Sequence, residues 1–198
     1  MSTPDVKELL IETFRAPKDL ARRLIAMNLP LQARLIALGA VVAASAALGT
    51  LAEILFAFIT KIDLGAVGSP LPMAVVQGVL ILYGAFAMVL VGGWFGGRGR
   101  YADALLLMVW IEFVLMVAQI VQVLIMVFFP LTSVVVSLAV VGLLFWLLVQ
   151  FTAALHGFTE MVPVAFGVIA TFFVSALIAG VLLVSLGIVP VPVAGAGA

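Results

Sequence analysis

Ala102–Phe129, ADALLLMVWIEFVLMVAQIVQVLIMVFF, is 28 residues of nearly unbroken apolar sequence. About 20 such residues cross a bilayer core. The polar residues in its interior are Glu112, Gln119 and Gln122. At roughly 100° per residue they fall within about one quadrant of a helix. A carboxylate facing lipid is costly, so this stripe should turn toward other helices. The stretch reads as an inner helix of a bundle, the third of five spans.

Working outward, composition rules out a water-exposed globular domain. Of 198 residues, 66% are hydrophobic and 9% charged, against about 25% charged in soluble proteins. The mean hydropathy is +1.42. The fold class is therefore an all-α integral membrane protein: a bundle of five transmembrane helices preceded by an amphipathic N-terminal segment. Its parts are residues 1–30, a membrane domain over 31–189, and a Pro/Gly/Ala tail over 190–198 that reads as disordered. The spans lie at about 31–58, 71–95, 102–129, 131–153 and 162–189. The short Phe129-Pro130-Leu131 link forces spans three and four into an antiparallel hairpin.

Residues 1–30 predict two short helices. Ser2 or Thr3 with Pro4 starts the first, and Pro17 restarts the second. Val6, Leu9, Leu10 and Phe14 share helical spacing, as do Leu20, Leu24 and Met27. The segment reads first as lying in the headgroup layer, apolar side down, with Lys18, Arg22 and Arg23 toward anionic lipid, and second as a solvated tail with helical tendency. Arg34, at the start of span one, is expected to snorkel to the interface. Eight of the nine basic residues fall on one side of the five spans, and Lys61 stands alone on the other. The positive-inside rule then puts the N-terminus in the cytoplasm and the C-terminus outside.

Depth counting predicts a polar layer. Glu53 and Gln122 lie six residues from the outer ends of their spans, and Gln77 six residues into its own. All three should sit roughly 9 Å inside the outer boundary and face one another, with Gln119 about a turn deeper. Glu112 falls near mid-membrane, where Gln150 of span four should meet it. Interhelical hydrogen bonding is the first reading of these residues. A protonatable or cation-coordinating site is the second. The run GGWFGGRGR holds two overlapping small-xxx-small pairs, Gly92/Gly96 and Gly93/Gly97, which either form a close-packed helix end or a flexible turn.

His156 and Glu160 are four apart and would meet on a continuous helix. With one histidine and no cysteine, zinc or haem has no ligand set. No nucleophile elbow, phosphate loop or HExxH motif occurs, so no catalytic, metal or cofactor residues are expected.

The order of these segments carries a resemblance. ARRLIAMNLP leads into an alanine-rich first span, GGWFGGRGRYADALLLMVW joins spans two and three, and FTAALHGFTEMVPVAFGVI joins four and five. This arrangement resembles the Yip (Ypt-interacting-protein) domain family of five-span proteins, in its compact prokaryotic form, over about residues 17–186. Eukaryotic members bind Rab-type GTPases through longer N-terminal regions, and the Asp-Leu-Tyr-Gly-Pro type motif of several of them is absent here. The resemblance implies a non-enzymatic membrane adaptor, scaffold or accessory subunit. Expected partners are anionic lipids and another membrane protein or a second copy, with no nucleic acid. The competing expectation is a small transporter or channel component using the intramembrane carboxyls.

Overall fold

In the computed structural model, residues 5–61 and 70–185 are described. They form seven helices: α1 (Val6–Arg15), α2 (Pro17–Ala26), α3 (Leu31–Thr60), α4 (Pro70–Trp94), α5 (Tyr101–Phe128), α6 (Pro130–His156) and α7 (Met161–Ser185). The last five are long and apolar enough to cross a membrane. The predicted tail at 190–198 and the proposed start at Ser2–Pro4 lie outside the described residues. Asp5 caps α1, its carboxylate accepting from the Lys7 amide at 3.0 Å.

Prolines open the helices where their missing N–H and fixed φ are harmless. Pro17 and Pro130 occupy first-turn positions, and Pro30 caps α3. A single residue, Phe129, separates α5 from α6. Pro130 prevents α5 from continuing and starts α6 at once, so the hairpin has no slack. At the other end of α6, Gly157 takes the left-handed conformation at φ 74°, and Phe158 donates back to the Ala153 carbonyl. This cap ends the helix at His156. Glu160 is left exposed off its end, so the expected i,i+4 meeting of His156 with Glu160 does not form.

The polar-striped helix α5 is the centre of the bundle. It packs on α3, α4 and α6, and 44% of its membrane window is buried against 6% for α7. The register follows from three contacts. Arg34 of α3 meets Asp103 of α5, Gly84 of α4 faces Met108, and Gln77 of α4 meets Glu112. Continuing the antiparallel α4/α5 register puts Pro70 about two and a half turns short of the level of Phe128.

α1 and α2 dock onto the bundle. Leu9, Leu20, Ala21 and Leu24 join Leu107, Ile111, Leu147 and Phe151 in one core cluster. The Trp110 indole donates to the Thr13 hydroxyl at 3.0 Å, and Phe14 stacks on Trp146. This corrects the expected orientation: the main apolar face of the segment covers protein, while Val6, Ile11 and Phe14 remain exposed. Arg23, read as lipid-facing, pairs with Glu12 at 2.8 Å and Glu8 at 3.6 Å and ties α2 to α1. Arg22 is exposed and Lys18 half-buried.

Candidate functional site

Charged faces of α1 and α2 cannot enter hydrocarbon. Since these helices pack at the level of Trp110 and Trp146, the bilayer begins near those indoles, where tryptophan commonly anchors. Phe128 lies about 27 Å further along α5, close to one core thickness. With the boundary taken there, Glu112 lies about a turn inside it, and Arg34 and Asp103 lie on its outer side.

Arg34 does not snorkel. Its Nη1 donates to Asp103 Oδ1 at 2.9 Å, its Nε donates to the Leu29 carbonyl at 2.8 Å, and its side chain is 3% exposed. A buried pair of this kind is held by geometry, because both charges have lost their water. It clamps the start of α3 to the first turn of α5. Sequence reasoning missed it. The available signal was depth counted from the basic end, since Arg34 and Asp103 both sit in the first turn of their helices.

Beside this clamp, His156 closes the end of α6 onto α4 and the α4–α5 link. Its Nδ1 accepts from the Gly99 amide at 3.1 Å, so Nε2 carries the proton and donates to the Met88 carbonyl at 3.0 Å. The ring reaches both because glycines make room. A Cβ on Gly92 or Gly97 would stand 2.1 Å from a ring nitrogen. The four glycines singled out by spacing therefore divide differently from the predicted pairs. Gly92 and Gly97 cradle the ring, and Gly93 faces open space. Gly96, at φ 84°, makes the turn, with Gly97 donating to the Gly92 carbonyl and Gly96 to that of Gly93. That pair of bonds is a Schellman cap.

The polar layer also forms differently from the depth count. Gln77 Nε2 donates to Glu112 Oε1, not to Glu53 or Gln122. The count placed every outer helix end at one level, and α4 begins deeper. Gln122 instead donates to the Ser137 hydroxyl of α6 at 2.6 Å. Gln150 is half-buried and makes no bond to Glu112, whose place beside α4 turns it away from α6. Glu53 is half-buried with no hydrogen-bond partner among the described residues. Gln119 faces Gly49, where an added Cβ would lie 3.7 Å from its Nε2.

Beside Gln77 and Gln119, α3, α4 and α5 leave a crevice of about 530 Å³. Ser45, Gly49, Pro72, Val76, Gln77 and Gln119 are among its lining residues. Ser45, 4% exposed, has a buried hydroxyl without a hydrogen-bond partner. Among the described residues, no group of three or more His, Cys, Asp or Glu could hold a metal.

Comparison with curated proteins and with solved structures finds no match. Residues 11–186 match the sequence model of the Yip1 domain. That match runs from within α1 to the end of α7, so it covers the second half of α1, all of α2, the Arg34 clamp, the glycine cradle and all five membrane helices. The chain is an integral membrane protein and belongs to the Yip1 domain family.

Proposed function

We propose that this protein is a non-enzymatic membrane scaffold, adaptor or accessory subunit of Yip-domain type that works by contact. In this reading it sits in a bacterial inner membrane with the N-terminus and the basic end cytoplasmic and the C-terminus outside, following the positive-inside rule. One observation carries the proposal. The amphipathic hairpin is immobilised on α5 and α6, so the exposed charges of Asp19, Arg22, Arg98 and Arg100 are displayed near a braced end of the bundle. Such a surface suits anionic headgroups and the cytoplasmic face of another membrane protein or a second copy.

The test pairs two measurements on the full chain. A photo-crosslinker at Arg22 should trap a stoichiometric partner or second copy in cells, and a reporter fused after Arg100 should read cytoplasmic. Purified protein in liposomes should pass no proton, sodium or potassium under an imposed gradient. A flux abolished by Glu112→Gln would overturn the scaffold reading and establish the transporter alternative.

A further inference from the structure

We propose that the crevice between α3, α4 and α5 binds an organic amine in its ammonium form, with the head beside Ser45 and Gln77, whose amide holds the Glu112 carboxyl behind the lining, and an apolar body along Val76 and Leu80. This goes beyond the scaffold reading, which requires no ligand.

The head position follows from the polar inventory. Gln77 spends its amide N–H on Glu112, leaving its carbonyl oxygen as an acceptor. Ser45 lines the crevice with a hydroxyl that is buried and unpartnered. Gln119 adds a further amide oxygen from α5. An ammonium carries three donors and a positive charge, so it satisfies these acceptors while giving the carboxyl an opposite charge. No Lys, Arg or His pairs with Glu112 among the described residues, and none lines the crevice.

Other occupants fit less well. A hydrocarbon tail would leave the Ser45 hydroxyl unpaired, a penalty that buried polar groups avoid. An anion would face the Gln77 and Gln119 carbonyl oxygens and the Glu112 carboxyl behind them, with no Lys, Arg or His among the lining residues. A bare metal ion would leave most of 530 Å³ unfilled against Pro72, Met73, Val76 and Leu80. That volume is in the range of small-molecule sites, which are mainly apolar with a few convergent polar groups. The head lies within about a turn of the near bilayer boundary, a depth accessible to an amphiphile arriving through lipid.

The experiment uses the purified full chain in lipid nanodiscs and two probes of matched shape, 4-phenylbutylamine and 4-phenylbutan-1-ol, at neutral pH. The amine should bind about tenfold or more tightly than the alcohol, as a charge-assisted contact predicts. Glu112→Gln should remove that preference while leaving alcohol binding unchanged, and Ser45→Ala should weaken amine binding severalfold. Val76→Trp, at an exposed lining position of α4, should block both probes without disturbing the buried core. Equal binding of amine and alcohol to the unaltered protein would overturn the proposal. So would amine binding that survives both Glu112→Gln and Val76→Trp, because the probe would then be partitioning into lipid.

Discussion

The two ends of this bundle are held by different forces. At the basic end, a buried ion pair, a doubly bonded imidazole and an indole–hydroxyl bond join helices that are distant in sequence. Toward the far end, Gln122–Ser137 is a hydrogen bond between neighbouring helices, and α3, α4 and α5 leave a crevice. Helices in lipid gain little from apolar burial against one another, so interhelical polar bonds and close approach decide where a bundle is tight. The basic end has both, and it carries the docked α1 and α2. The crevice belongs to the part with fewer ties, where a ligand can enter without breaking them.

The largest expected effect comes from breaking the ion pair. Asp103→Ala leaves Arg34 buried without its counter-charge, at a cost of about 3–5 kcal/mol. The thermal midpoint of the purified protein in nanodiscs should fall sharply. Replacing both partners, Arg34→Met with Asp103→Leu, should recover most of the loss because no orphan charge remains. If Asp103→Ala leaves stability unchanged, the basic end is not clamped and the contrast between the ends fails.

A smaller effect tests the glycine cradle. Gly97→Ala puts a methyl into the space of the imidazole and should cost about 1–3 kcal/mol by overpacking. Gly93→Ala meets open space and should be close to neutral. His156→Ala combined with Gly97→Ala should destabilise less than the sum of the two single changes, since the clash and the ring vanish together. Additive losses would mean that the ring and Gly97 do not touch.

These two sites also show what a reader of the sequence can and cannot see. The spans were legible because their signal is local: an apolar run of sufficient length between Arg, Pro and Gly punctuation marks a helix by itself. Pro17 and Pro130 likewise announce their helix starts. Partners across the bundle were not legible, because they depend on how far each helix slides against its neighbours. Gln77 was matched to Glu53 and Gln122 by equal distance from helix ends, yet it bonds Glu112 since α4 starts deeper. GGWFGGRGR declared that something approaches closely, but only the fold shows that the visitor is His156, 59 positions after Gly97. The same limit hid Asp103, a first-turn acid of α5 whose partner, Arg34, lies on α3.

The smallest effect concerns the attachment of the N-terminal hairpin, and it decides whether the basic end extends to α1. Thr13 is fully buried, and its hydroxyl accepts from the Trp110 indole at 3.0 Å while donating to the Leu9 carbonyl at 2.9 Å. Thr13→Val keeps the shape and removes the acceptor, stranding the indole N–H at a cost of about 1–3 kcal/mol, at the low end where part of Trp110 remains accessible. Global stability should change little, because α2 is still held by Leu20, Leu24 and Phe151. The loss should instead appear locally, as faster amide hydrogen exchange in residues 6–15 with α2 and α5 unaffected. Trp110→Phe combined with Thr13→Val removes both halves of the bond and should restore most of the protection. Exchange in α1 that is already as fast as a free helix would show that this bond holds nothing, and the braced end would then stop at α2.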